Sequence, residues 1–355
     1  MQNVTTNTPV FLNYKSTTEL LLKGLFNISP ITPYFSEFFL KGCWKSKSRF
    51  RIWGTFFLVT RKLLSNFTRE ILSNVNENDT ILYFYWGLRW SQIIPFLPEN
   101  RNFKIVVRFH GSDLYEELNK NYIPFRKEML HRINAVICIS NAGKDYLISK
   151  YPFVGDKCII SRLGTKDLGL NPYRQSHKVH IVSCSNLVSL KRVDLIAESL
   201  KYLTIPVKWT HLGGGTEMTR IKAIANSFLS TIEWNFPGAL PHLAIMDFYS
   251  QESIDLFINV SSSEGVPVSV MEAISFGIPV IATDVGGTRE IVNDKLGFLL
   301  KSHPDAEEIA RSIMAVISDP EYSIYRLNAR QQWETMCDAQ MVFSKFVSYM
   351  ETLSL

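Results

Sequence analysis

Two doubly wound α/β domains are the architecture this sequence predicts, on three observations. The chain has 355 residues, more than a single hydrophobic core usually organises. From about residue 80, short apolar runs alternate with amphipathic segments, the pattern of strands joined by helices in a parallel sheet. The polar, strand-free stretch KDLGLNPYRQSHK (166–178) interrupts the alternation, which then restarts. We therefore expect a first domain at 1–165, a linker at 166–178, a second domain at 179–325, and a helical segment at 326–355 that packs back on the first domain.

In the first domain, strands are expected at TILYFYW (80–86), FKIVVRFH (103–110), AVICIS (135–140) and KCIISRL (157–163), with a helix at PFRKEMLHRI (124–133). The first 75 residues fit less well: PVFLNY (9–14) offers at most a short strand, and no GxGxxG follows it. The second domain should hold strands at VHIVSCS (179–185), VKWTHLG (207–213), STIEWNF (230–236), IDLFINV (254–260) and PVIATD (279–284). Helices are expected near 191–203, 216–229, 269–276 and 305–318, with a closing helical segment at 321–353. Two such domains make a cleft between the carboxyl ends of their sheets, where open α/β folds bind ligands.

With 46% hydrophobic and 20% charged residues, both halves should fold rather than stay disordered. No run approaches the roughly 18 apolar residues of a membrane span, and the polar start lacks the layout of a secretory signal. A cytoplasmic protein is expected. Five cysteines (Cys43, Cys138, Cys158, Cys184, Cys337) show neither paired nor metal spacing and read as reduced structural thiols. The Asn-x-Ser/Thr triplet at Asn259 lies in an apolar strand, where glycosylation conflicts with folding.

The net charge of +5 is unevenly spread. Residues 41–72 hold eight Lys/Arg against one acid, Glu70, with Trp44, Trp53, Phe56, Phe57 and Phe67 interleaved. Such a stretch can lie on an anionic membrane, here the inner face of the cytoplasmic membrane, or be an amphipathic helix whose aromatics face the core. No nucleic-acid recognition module is visible, so nucleic acid is not an expected partner.

The chemistry concentrates in SSSEGVPVSVMEAISFGIPVIATDVGG (261–287). Strand IDLFINV runs into SSSEG, and a helix begins near Pro267, a residue favoured at a first helical position. The amides of Val266, Val268, Ser269 and Val270 then form an anion site suited to a diphosphate, and Gly265 permits close backbone approach. Glu272, about a turn into the helix, can reach hydroxyls, and Glu264 would sit on the other side of the anion. A nucleoside-diphosphate sugar satisfies both acids, although either alone also fits a surface carboxylate near a helix start. SNLVSLKRVDLI (185–196) adds Lys191 and Arg192 at a helix start, where cations are unfavourable unless an anion compensates them. HLGGGTEMTRI (211–221) supplies a glycine-rich turn with Gly213 and Gly214. In the first half, VVRFHGSDLYEE (106–117) brings His110 and Asp113 to a strand end, and ISRLGT does the same for Arg162.

SSSEGVPVSVMEAISFGIPVIATDVGGTREIV resembles the signature of the retaining glycosyltransferases of family 4, which have the GT-B fold. Its E-x7-E motif falls on Glu264 and Glu272, and SNLVSLKRVDLI resembles the family's donor-phosphate loop, with Lys191 as its lysine. VVRFHGSDLY, CISNAGKDYL and ISRLGT resemble first-domain segments, so the likeness covers roughly residues 80–300. It implies that Glu272 binds ribose hydroxyls, that Glu264 binds the donor sugar's hydroxyls, and that amides at 266–269 help hold sugar and diphosphate. His110 would meet the donor sugar from the opposite domain, the nucleobase would lie near GALPHL (238–243, with Leu240), and Glu290 is a weaker candidate. Two departures stand out: Asn186 occupies the position of the family's phosphate-binding arginine, and the N-terminal glycine-rich loop is missing.

The implied reaction moves a sugar from a nucleotide sugar, with UDP the expected nucleotide, to a hydroxyl of a glycan or lipid-linked glycan in surface-polysaccharide assembly. Neither a metal nor another cofactor is expected, because Lys191 and helix dipoles would neutralise the leaving group. The alternatives are a nucleotide-sugar epimerase or phosphorylase of the same fold, or a weakly active, membrane-docking subunit that binds nucleotide and supports a partner enzyme.

Overall fold

The computed structural model describes residues 32–74, 80–99, 101–227 and 232–354. The short strand expected at 9–14 lies outside them, as do residues 228–231, where an expected helix ends and an expected strand begins. Packing divides the chain into two units, one comprising residues up to 107 with 116–134, the other 108–115 with 135–355.

The first unit opens with helices α1 (Thr32–Leu40) and α2 (Lys47–Glu70). Ser46 caps α2 by accepting from the Arg49 amide at 3.4 Å. The helix is amphipathic: Phe56, Leu63 and Phe67 are buried, while Phe50 is exposed. Tyr34 of α1 stacks on Phe96 at 4.5 Å, and Phe56 stacks on Phe125 at 5.3 Å, so aromatics form this small core. Strands β1 (Ile81–Phe84) and β2 (Lys104–Phe109) pair in parallel, Ile81 opposite Lys104, and α3 (Arg126–Arg132) follows.

In the second unit, β3 (Ala135–Cys138) and β4 (Cys158–Ile160) pair in parallel around α4 (Asn141–Lys150). The Ser140 hydroxyl caps α4 by accepting from Gly143 N at 3.0 Å, a contact worth about 1 kcal/mol. A six-stranded parallel sheet follows, built from β5 (Val179–Cys184), β6 (Val207–Leu212), β7 (Ile232–Gly238), β8 (Leu256–Asn259), β9 (Val280–Thr283) and β10 (Gly297–Leu300). Its strand order is β10-β9-β8-β5-β6-β7, so the chain reverses its direction across the sheet between β5 and β8. In such sheets the carboxyl ends on either side of the reversal enclose a crevice.

Helices α5 (Val193–Leu200), α6 (Met218–Asn226) and α9 (Ala306–Ile317) pack on one face of this sheet. Helices α7 (His242–Gln251), α8 (Val268–Ser275) and α10 (Tyr322–Met336) cover the other. Cover on both faces explains why β8 and β9 are buried at every residue and apolar up to their last positions, Asn259 and Thr283. The expected closing helix is two helices, α10 and α11 (Ala339–Ser354), separated where Thr165 exchanges backbone hydrogen bonds with Cys337 and Ala339.

The polar stretch 166–178 has no strand or helix, and side chains tie it to this unit. Asn171 is buried, its amide donating to Tyr249 O and Glu252 O at 2.7 Å each. Strand β10 and helices α4 and α7 are additional to the expected elements. Pro267 is the cap of α8 rather than its first residue, with helical geometry beginning at Val268.

Candidate functional site at the sheet reversal

The loop after β5 carries Asn186 and Lys191, and the loop after β8 carries Glu264 and Gly265, so both meet at the reversal point. Lys191 ends a short 3₁₀ turn, and its Nζ lies 2.6 Å from Glu264 Oε1. The same oxygen accepts from Asn259 Nδ2 at 3.3 Å. Both members of the pair are partly buried, so their attraction is less screened than at the surface. Sequence reasoning missed Asn259 as a site residue; buried in β8, it fixes the carboxylate that the lysine meets.

Arg192 follows with left-handed backbone, φ 47°. Its guanidinium donates to Val260 O at 2.7 Å and to Ser261 O and Ser302 O at 2.9 Å each. Three charge-assisted bonds hold a conformation that ordinarily costs about 1–3 kcal/mol. They also commit Arg192 to joining backbone segments, leaving Lys191 as the cation directed at Glu264. Asn186 is exposed, and its carbonyl accepts from Val188 N at 3.0 Å.

Glu272 lies in the second turn of α8 and is buried. His242 Nε2, at the first residue of α7, approaches its Oε1 at 2.7 Å. Burial raises the Glu272 pKa, and the bond to His242 offsets part of that rise. His242 sits within the GALPHL stretch, but nothing in its local pattern marks it as the partner of a residue in another helix. Leu240 of that stretch is partly buried against the core beneath α7 and α8. In the first turn of α8 the Val270 amide bonds back to Pro267 O at 3.1 Å, so it does not join the expected set of free amides. Val268 and Ser269 occupy positions whose amides have no acceptor within the helix.

Glycines let the loops approach. Gly286 has φ +54°, and a Cβ there would collide with Glu264 O. Gly287 N donates to Gly265 O at 2.7 Å. A Cβ on Gly265 would lie 3.0 Å from Gly111 N, so the turn Gly111–Leu114 abuts the same loop. Gly213 and Gly214 behave similarly: a Cβ on Gly213 would strike Ser185 O, and Gly214 O accepts from Leu187 N at 2.9 Å.

His110 precedes the Gly111 turn and is buried. The Asp113 carboxylate accepts from its backbone amide at 2.6 Å and lies 3.7 Å from its Nδ1. Asp113 thus positions His110. Arg162 and Glu290 pair with each other at 2.5 Å, and Glu290 also accepts from Asn141 Nδ2 and the Ala142 amide. Neither side chain reaches the Lys191–Glu264 pair; they tie the β4 exit to the start of α4.

Beneath the glycine turn, His211 is buried between Ser183 Oγ at 2.8 Å and Ser185 O at 3.0 Å. Burial pulls its pKa down to about 4. A carbonyl facing Nε2 makes that nitrogen the protonated one, so Nδ1 accepts from Ser183.

The unit is thus doubly wound, with Lys191, Glu264 and glycine-bared backbone at its reversal point, the place where such sheets bind ligands. Residues 173–334 match the family described as Glycosyl transferases group 1. WcaL of Escherichia coli K12, a putative colanic acid biosynthesis glycosyltransferase, is 24% identical over 266 residues, covering 70% of this chain and 64% of that protein. WbnH of Escherichia coli, an O-antigen biosynthesis glycosyltransferase, is 27% identical over 265 residues, 74% of this chain and 73% of its own. The lipopolysaccharide outer core galactosyltransferase WaaB superposes with TM-score 0.66 at 17% identity, covering 83% of this chain and 81% of its own. Anabaena HepE, solved in complex with UDP, gives 0.64 at 15%, covering 82% of each. Residues 173–334 match a group 1 glycosyltransferase domain, and the chain has the GT-B fold of these solved structures.

Proposed function

We propose that this protein is a retaining glycosyltransferase that moves a sugar from a UDP-sugar to a hydroxyl of a glycan or lipid-linked glycan during surface-polysaccharide assembly. The observation that carries the proposal is the Lys191–Glu264 contact of 2.6 Å at the sheet reversal, inside the group 1 domain. The UDP bound to HepE and the polysaccharide roles of WcaL and WbnH support the donor and the setting.

In this reading the α8 amino end and Lys191 face the donor diphosphate. As the bond from sugar C1 to the diphosphate breaks, negative charge grows on the departing phosphate, and a fixed cation stabilises that charge more than the ground state. The acceptor oxygen bonds C1 on the same face, and its proton leaves with the nucleotide. Glu264 reads the sugar's hydroxyls and Glu272 the ribose hydroxyls, with His110 beside the sugar. Lys191 would take the place of a metal ion, so turnover should survive excess EDTA. Residues 1–165 would form the acceptor side and 179–325 the donor side, divided at 166–178. The aromatic and basic segment 41–72 would rest on an anionic membrane.

The test is nucleotide release from a panel of nucleotide sugars, with and without polysaccharide-repeat acceptors. UDP release that Lys191→Ala and Glu264→Ala abolish supports the proposal. Nucleotide binding without turnover on any donor would instead favour a supporting subunit, a reading that Asn186 at the arginine position keeps in view.

A further inference from the structure

A second candidate site lies in the first unit, where α2 and the segments around residues 89–92 and 120–124 enclose a cavity of about 770 Å³. Lys47, Arg51, Arg89 and Lys120 line it, and no carboxylate does. Among the described residues, none of these four side chains has a hydrogen-bond or ion-pair partner. Four like charges around one hollow repel each other, and an anion between them relieves that repulsion.

Two further observations point the same way. Ser48 Oγ, also lining the cavity, is buried and lacks a hydrogen-bond partner among the described residues, a state that costs about 1–3 kcal/mol until something bonds it. Arg89 and Lys120 both sit on left-handed backbone, at φ 63° and 57°. Neither residue type favours that region, and strain of this kind gathers at ligand sites. The remaining wall is apolar, from Ile52, Phe56, Val59 and Pro124.

We propose that this cavity binds a phosphate group carried on an apolar chain: the cations and Ser48 hold the phosphate, and the apolar wall takes the first carbons of the chain. The inference does not depend on the transferase reading, because it is tested by binding rather than turnover. Calorimetric titration of the full chain with dodecyl phosphate, dodecanol and inorganic diphosphate separates the contributions. Dodecyl phosphate should bind, and Arg51→Glu and Arg89→Glu should each weaken it by roughly tenfold, since hydrogen bonds to charged groups are the stronger ones. Raising the salt concentration should weaken it further.

Inorganic diphosphate should bind at least about tenfold more weakly, lacking the apolar contact. Equal affinity for inorganic diphosphate and dodecyl phosphate overturns the amphiphile assignment, and equal affinity for dodecanol overturns the phosphate assignment. Unchanged binding by both charge-reversal variants overturns the site itself. Both arginines are exposed, so the variants should fold. Ser48→Ala, which changes no charge, provides a second variant and should weaken dodecyl phosphate a few-fold.

Discussion

At the scale of single residues, Lys191 and Glu264 neutralise each other across 2.6 Å. In the proposed reaction the lysine turns from Glu264 to the donor phosphate, whose negative charge it then meets. Lys191→Ala should lower kcat by about 10²- to 10³-fold with a smaller effect on donor KM, because in the proposed reaction the lysine acts on charge that grows as the leaving group departs. Single-turnover kinetics of UDP release checks the split. Glu272 should behave differently, because in its proposed role it contacts ribose hydroxyls, which do not react. Glu272→Gln should raise donor KM roughly tenfold and leave kcat within a few-fold. Burial already raises the pKa of Glu272, and His242 holds it down. In His242→Ala the carboxylate should take up its proton at higher pH than in the wild type, so as pH falls, donor affinity is lost earlier. Donor KM measured across pH checks this: coincident profiles for wild type and variant would remove His242 from the site.

At the scale of elements, the core strands were legible because a parallel strand covered on both faces is apolar along nearly its whole length, as β8 and β9 are up to their last residues, Asn259 and Thr283. Strand β10 was not, since it begins with Gly297, which turn chemistry would equally claim. The E-x7-E spacing of Glu264 and Glu272 was legible because both lie in one strand–loop–helix unit. Their partners were not: Asn259 looks like any strand residue, and His242 meets Glu272 from 30 positions away. The GG turn at 286–287 was visible, but not its reason, which is backbone contact with Glu264 and Gly265. Gly286→Ala therefore combines strain at φ +54° with a collision, and should cost roughly 3 kcal/mol or more in chemical denaturation. The β5–β6 pair carries its own pH dependence through His211. Its folded pKa is about 4 against 6.5 for the free side chain, so below 6.5 the unfolded chain binds a proton that the folded one refuses. Stability from this residue is complete above pH 6.5 and falls towards pH 4, by about 3 kcal/mol in all. His211→Gln keeps a donor for Ser185 and an acceptor for Ser183, and should flatten that part of the stability profile in urea titrations.

At the scale of the whole molecule, a net charge of +5 is modest, but eight of the cations fall within residues 41–72. The aromatic residues in and around that stretch divide between the core and the surface. Phe56 and Phe67 serve the core, as in an ordinary amphipathic helix, whereas Trp44 remains 60% exposed and Leu40, just before it, 82%. Phe39 and Phe50 are exposed as well, with Lys41, Lys45 and Lys47 interspersed along the chain. No helix among the described residues is long and apolar enough to cross a membrane. Attachment through this region would therefore be interfacial, with aromatic rings in the headgroup layer and each nearby cation adding about 1 kcal/mol on an anionic surface. The full chain should co-float with phosphatidylglycerol vesicles and not with phosphatidylcholine vesicles, and salt should release it. Trp44→Ser with Leu40→Ser should weaken flotation while leaving salt sensitivity intact, because these changes remove only the apolar part. Lys41→Glu with Lys45→Glu should abolish the preference for anionic lipid, because they remove only the electrostatic part. Flotation unchanged in both double variants would mean that this surface does not meet the bilayer.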